Sequence, residues 1–378
     1  MEREMDPEKN QVHILYFTHT GSAMAARLAR ELAREANVTY ASGKGCCKEW
    51  TEEHFRKGNV LVYIGACGIA VRAIAPHIGS KETDPAVIVI DEKGENVIPI
   101  LAGHLGGANE WARKIAECTK GKAVLTTATD VNGVFAVDLF AKDNGLLIGD
   151  LKKAGRFTAS LLEEGKASVV IPRKYADLIQ LKGEIPGELE VCDLPDEELA
   201  GLQGTNVALI TPDAELSADP DAPPRLIPRC VILGMGCRKG KSYEELRGFA
   251  EETMRELGLG REAVCAIASI DVKKEEPGLV SLAADLGVPL QTFSAEELEK
   301  TELENWTFME SDRVREYVGT GNVCERAAAA AGARKILRGK TAKDGMTICV
   351  GMRPVELCWK PDDKSDKKDP KGHLVVVG

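Results

Sequence analysis

No apolar run in the 378-residue sequence approaches the ~18 residues of a membrane span. The chain opens on Met1-Glu2-Arg3-Glu4-Met5, charged where a secretory leader would be apolar, so a cytoplasmic protein is expected. Positive charge is not in excess: 49 Lys and Arg face 59 Asp and Glu, and the net charge of −10 opposes non-specific attraction to nucleic acid or an anionic membrane. Neither a zinc-protease H-E-x-x-H nor a nucleophile-elbow G-x-S-x-G is present. Eleven cysteines run from Cys46 to Cys358 without paired metal spacing, and adjacent Cys46 and Cys47 are poorly placed for a bridge. Reduced thiols and no protein metal site are therefore expected. A phosphate loop is missing too, although Gly234 to Ser242 reads GMGCRKGKS. The motif needs four residues between its glycines, whereas Gly234 to Gly240 encloses five and Gly236 to Gly240 three, which counts against a nucleotide phosphohydrolase.

What is present is a long alternation of strands and helices. At ~100–200 residues per domain the length suits two or three domains, and 44% hydrophobic content can bury a core in each. Val12 to Phe17 reads as a strand, Thr18 to Ser22 as a polar turn, and Met24, Leu28 and Leu32 as the buried stripe of a helix. His19 in that turn either reaches a ligand or, the favoured reading, braces its own loop. His13, His54 and His373 have no polar cluster around them and read as structural or solvated. Val60 to Ile64 is a buried strand, after which Gly65, Gly68 and a helix from Ile69 would leave N–H groups facing an anion, with Arg72 in the first helical turn. Ala86 to Ile90 and Val97 to Leu101 form a hairpin whose second strand delivers Gly103-His104-Leu105-Gly106-Gly107-Ala108-Asn109. A helix with Trp111, Ile115 and Cys118 inward follows, then a strand ending in Thr126-Thr127-Ala128-Thr129-Asp130.

Residues 141–218 carry a helix around Phe157, Leu161 and Leu162 and strands at Ser168 to Ile171 and Asn206 to Thr211, with no arrangement readable as chemistry. The prolines of Asp219 to Pro224 predict an exposed linker over 219–228. Beyond it, Cys230 to Leu233 is a strand entering the glycine turn, and helices and strands alternate to a last strand at Thr347 to Val350, with a capping box at Ser294 and Glu297. The fold class is α/β, with mixed or parallel sheets flanked by helices in several domains: 1–140, 141–218, 229–359, and a disordered tail over 360–378.

The Gly103 to Asn109 loop is the leading catalytic candidate, because its glycines allow close approach and His104 can exchange protons near neutral pH. The alternative is a histidine that braces the loop. Asp130 could orient that histidine, polarise water, or cap the next segment. Cys67 and Cys237 sit in glycine turns where a helix N-terminus could lower a thiol pKa, leaving covalent catalysis as a lesser alternative to packing.

Four signatures in order, GIAVRAIAPHI from Gly68, K-x-x-DPAVIVIDEKG from Lys81, GHLGGAN from Gly103 and TTATD from Thr126, resemble the cobalt-precorrin-5A hydrolase family of anaerobic cobalamin biosynthesis. The GMGCRKG stretch, Ala268 to Lys273 and Gly278-Leu279 resemble its C-terminal domain, which also occurs as a separate protein of the aerobic pathway. The resemblance implies an enzyme that converts cobalt-precorrin-5A to cobalt-precorrin-5B, opening a lactone on the macrocycle rim and releasing acetaldehyde. For that reaction the residues themselves offer His104 and Asp130 as the catalytic candidates. Substrate would be bound by Gly65, Gly68, Arg72, Gly103, Gly106, Gly107, Asn109, Thr126, Thr127, Thr129, Gly236, Cys237 and Arg238. Arg72 and Arg238, more than Lys81 and Lys239, would pair with the macrocycle's acetate and propionate groups. Cobalt arrives inside the substrate, and no further cofactor is implied. Partners would be cobalt-precorrin-5A and neighbouring pathway methyltransferases, since His373 to Gly378 is similar to the strand that opens precorrin methyltransferases, which are sometimes fused to this hydrolase. A non-catalytic tetrapyrrole carrier is the rival, and it would bind without releasing acetaldehyde.

Overall fold

The computed structural model describes residues 10–199, 201–214, 219, 221–311, 315–316 and 319–359. The expected tail over 360–378, with its methyltransferase-like run, lies outside the described residues, as does Pro220 of the expected linker. The chain divides into two compact units, Met1–Leu139 and Phe140–Gly378. Both are α/β, with mixed sheets flanked by helices. No helix among the described residues is long and apolar enough to cross a membrane.

The first unit is built on a six-stranded sheet of order β2-β1-β3-β4-β5-β6. Its elements in chain order are β1 (Asn10–Tyr16), α1 (His19–Leu32), β2 (Ala36–Ser42), α2 (Cys47–His54), β3 (Asn59–Ile64), α3 (Cys67–Ile74), β4 (Ala86–Ile90), β5 (Asn96–Leu101), α4 (Ala108–Thr119), β6 (Lys122–Ala123), α5 (Ala128–Asn132) and α6 (Val137–Asp143), the last crossing the division. Alternate residues of β3 serve opposite faces. Val60, Val62 and Ile64 meet Leu28, Leu32, Trp111 and Ile115 on one side, and Leu61 and Tyr63 meet Trp50, Ala70 and Ile74 on the other. The polar Thr18 to Ser22 stretch is the capped first turn of α1 rather than a free turn, because the Thr18 hydroxyl accepts from the Gly21 N–H at 3.1 Å.

One reversal decides where the ends of the strands meet. β1, β2, β3 and β4 run parallel, but β5 returns antiparallel to β4, with Leu101 opposite Val87. The turn is held by the Asp91 carboxylate, which accepts from the N–H groups of Lys93, Glu95 and Asn96, and by Gly94 at φ 73°. β6 runs parallel to β5, so the segments after Leu101 and after Ala123 leave the sheet at the same edge. Gly65 follows β3 at the opposite edge, roughly 20 Å away for strands of this length.

The second unit holds two five-stranded sheets. The first uses β7 (Leu147–Ile148), β8 (Ala167–Pro172), β10 (Leu189–Leu194), β11 (Val207–Ile210) and β12 (Arg225–Ile227), with β9 (Ile179–Lys182) outside it. The expected linker over 219–228 is corrected by β12, which pairs with β11 and β7 and buries Leu226 and Ile227. Pro223 and Pro224 stand just before that strand, where a missing N–H costs nothing, and the Pro224 carbonyl accepts from Leu209. The other sheet has the order β15-β14-β13-β17-β16, from β13 (Val231–Cys237), β14 (Val264–Ile270), β15 (Leu290–Phe293), β16 (Lys335–Lys343) and β17 (Met346–Met352). Here GMGC is strand rather than turn, because β13 pairs antiparallel with β17 as far as Cys237. A Cβ on Gly234 would stand 1.9 Å from the Cys324 carbonyl oxygen, so this glycine lets the helix Cys324–Ala330 lie directly on the strand. The capping box of Ser294 and Glu297 forms as read.

In the first unit His13 is buried, stacked on His54 with ring centroids 4.1 Å apart, and bonded to the Thr39 hydroxyl at 2.8 Å. Burial, then the neighbouring His54, depress its pKa from 6.5 to about 4. The unfolded chain therefore binds the proton more tightly, and stability must fall as pH drops from 6.5 toward 4, by at most ~3 kcal/mol. Urea unfolding across that window should show the loss in wild-type protein and a smaller one in His13→Asn. Equal losses in the two would contradict this origin.

Candidate active site

The loop between β5 and α4 closes on itself. Ala102 is left-handed at φ 53° and Gly107 at φ 81°. The N–H groups of Ala108 and Asn109 donate to the carbonyls of Ala102 and Gly103, and that of Gly107 donates to the His104 carbonyl. A Cβ on Gly103 would meet the Asn109 amide oxygen at 2.8 Å, and one on Gly106 the Ala102 Cβ at 2.5 Å. These glycines, read above as room for substrate, are needed first for the loop's own packing.

This closure holds the His104 ring between two carboxylates. Nε2 lies 3.0 Å from Asp130 Oδ2, and Nδ1 lies 3.0 Å and 3.1 Å from the two oxygens of Asp138. The Thr129 hydroxyl stands 3.2 Å from Nε2. Asp130 is itself a hub. The Asn109 amide donates to Oδ2 at 2.7 Å and to the Thr127 hydroxyl at 3.1 Å, and the Arg113 guanidinium donates to Oδ1. Burial disfavours the charged imidazole, but hydrogen bonds and charge from Asp130 and Asp138 outweigh it and push the pKa up to about 9. Burial would likewise raise Asp130, yet His104 and Arg113 hold it below the usual carboxylate range. The site thus offers a charged acid, oriented on both sides, at the edge where β5 and β6 end. Among the described residues no cluster of His, Cys, Asp and Glu is arranged to hold a metal ion.

Of the residues expected here, the structure brings together Gly103, His104, Gly106, Gly107, Asn109, Thr127, Thr129 and Asp130. Thr126 is exposed beside them. It does not bring Gly65, Gly68 and Arg72 to this edge. The Gly65 N–H is spent on the Ile90 carbonyl, and its missing side chain makes room for the Phe17 ring. α3 begins at Cys67, which places Arg72 in its last turn rather than its first. A Cβ on Gly68 would stand 3.6 Å from the Arg72 guanidinium, so that group folds back over the first turn of α3, beside Gly68 and away from the edge where His104 lies. Arg113 and Asp138 were missed. Arg113 was within reach of the sequence, because Asn109 and Arg113 are four apart on one helical face and meet the same carboxylate. Asp138 carried no signal beyond being the next acid after Asp130.

Gly236, Cys237 and Arg238 line a separate cleft in the second unit, about 1100 Å³ in volume. Lys239, Lys273 and Lys340 add positive charge, and Ile270, Val272, Pro277 and Val323 add apolar surface. Glu276 fixes its rim by accepting from the Gly240 N–H and the Lys273 ammonium, both at 2.7 Å. Burial pushes the Cys237 thiol up despite the nearby lysines, which disfavours the thiolate that covalent catalysis needs. Ser242 caps the following helix in a capping box with Glu245 and pairs that carboxylate with Lys241, so the K-S pair builds a helix start and not a phosphate cradle.

Residues 49–130 match the family described as Cobalamin synthesis G N-terminal, and residues 231–351 match Cobalamin synthesis G C-terminus. The chain is 32% identical over 301 residues to the cobalt-precorrin-5A hydrolase of Priestia megaterium, spanning 78% of this chain and 79% of the relative. It is 32% identical over 356 residues to the one of Salmonella typhimurium, spanning 90% and 97%. The chain belongs to the cobalt-precorrin-5A hydrolase family. Over 100 residues the chain is also 31% identical to Protein CobE of Sinorhizobium sp, covering 26% of this chain and 62% of that protein.

In this family member the pairing of His104 must also register in stability. A pKa raised from 6.5 to about 9 contributes stability that is complete below 6.5 and is lost as pH rises through 9. The gap in melting temperature between wild type and His104→Asn should therefore be wider at pH 6 than at pH 10. A gap independent of pH would show that folding does not raise the proton affinity of the ring.

Proposed function

We propose that this chain hydrolyses cobalt-precorrin-5A to cobalt-precorrin-5B, opening the lactone and releasing acetaldehyde, with His104 as the proton-transferring group. The observation that carries the reading is an imidazole held charged between Asp130 and Asp138, in a chain 32% identical to relatives of that activity. When water adds to the lactone carbonyl, negative charge gathers on oxygen, first in the tetrahedral intermediate and then on the alcohol oxygen that leaves the acyl carbon. A charged imidazole at that point supplies the proton. The neutral ring left behind can then take the hydroxyl proton back when the carbon fragment departs as aldehyde, the electron pair of the broken carbon–carbon bond staying on the macrocycle. Asp130 is the orienting carboxylate in this reading, fixed by Asn109 and Arg113.

The cleft around Arg238 suits an amphipathic polyanion, and we assign it to tetrapyrrole recognition, with Arg238 on a rim carboxylate and Val272 and Val323 on the macrocycle face. Cobalt enters as part of the substrate, and the reading needs no resident cofactor. All eleven cysteines are free, as a reducing cytoplasm would keep them.

His104→Asn retains a polar side chain that cannot titrate near neutral pH. With cobalt-precorrin-5A it should bind with near-native affinity while acetaldehyde release falls by ~100- to 10,000-fold, as loss of a positioned acid or base does. Normal turnover by this variant would reduce His104 to a brace for its loop.

A further inference from the structure

Proton accounting at His104 goes further than naming it as the acid. A neutral imidazole has one N–H and can donate on one side only, and an ionised carboxylate can only accept. Asp130 is ionised, because it already accepts from the Asn109 amide and the Arg113 guanidinium, so the Nε2 side must carry a proton to meet it. The Nδ1 side faces both oxygens of Asp138, so a second proton must lie in that pair as well. The two sides are not equivalent. The Asp130 side chain is 6% exposed and bound by three residues, whereas that of Asp138 is 26% exposed and, among the described residues, its one other bond is to the N–H of Leu139, its own neighbour.

We propose that Asp138 is a positioning residue for the hydrolysis: it holds the transferable proton on Nδ1 of His104 until a substrate oxygen displaces its more exposed carboxylate and takes that proton, while Asp130 fixes the Nε2 proton that stays. This rests on the functional reading above and adds which nitrogen delivers. The groups that face the ring are Asp130, Asp138 and the Thr129 hydroxyl, with Arg113 reaching it only through Asp130. Loss of Asp138 therefore leaves one carboxylate to hold two protons. The raised pKa agrees with this but does not distinguish the two sides.

The test compares wild type, Asp138→Asn and Asp138→Glu by two readouts. Proton NMR follows the imidazole resonance that is absent from His104→Asn. In Asp138→Asn the proton affinity of His104 should fall about 10- to 1,000-fold, as expected when a paired carboxylate is removed. Asp138→Glu should recover most of it. Under saturating cobalt-precorrin-5A, the alkaline limb of the kcat profile for acetaldehyde release should move to lower pH by the same factor, with KM little changed. An unmoved titration would overturn the proposal, and so would a moved titration with an unmoved limb. A wild-type protein that released no acetaldehyde would sink the functional reading alone, because the titration still decides where the proton is held.

Discussion

The Asp130 carboxylate is the contact on which this site depends. It is nearly buried and charged, a state tolerated only when every oxygen is paired. Its partners come from separate pieces of chain: His104 from the loop after β5, and Asn109 and Arg113 from one face of α4. Asp130 belongs to α5, so one side chain fastens that short helix to the loop and to α4. The fastening also opposes the left-handed backbone at Ala102, which costs on the order of 1–3 kcal/mol and needs surrounding structure to hold it.

The return of β5 against β4 explains why these pieces meet. Had the chain continued with a parallel crossover, the GHLGGAN loop would leave at the edge where Gly65 lies, and TTATD would follow it there. Instead both leave at the carboxyl ends of β5 and β6, the end of a strand where open α/β sheets present their ligand groups. The reversal in turn hangs on Asp91, whose carboxylate gathers three backbone N–H groups in the connecting turn.

Strand and helix periodicity, the hairpin and the pairing of GHLGGAN with TTATD were all legible in the sequence, because apolar spacing and the polar turn at Asp91 to Glu95 are local signals. Glycine was the main source of error. Gly65 was read as backbone freedom near an anion and Gly234 as the start of a turn, whereas the structure uses their missing Cβ atoms to admit the Phe17 ring and the Cys324 carbonyl. Those neighbours are 48 and 90 residues away in sequence and leave no local trace. Proline misled in a similar way, since Pro223 and Pro224 mark a strand's beginning as well as they would mark a linker. Asp138 could not be found at all, because its value lies in the ring it faces from 34 residues away.

Family membership gives the reaction class, and in the proposed reading the ring between two carboxylates is its proton donor. A charged imidazole makes a definite demand on the pH dependence that a neutral base would not. The most direct measurement is acetaldehyde release by wild-type protein, saturated with cobalt-precorrin-5A, as a function of pH. The account predicts one acetaldehyde per substrate consumed, at a rate roughly level through neutral pH and falling above about 9. Binding without acetaldehyde, or a rate that climbs from neutral pH toward 9, would contradict it.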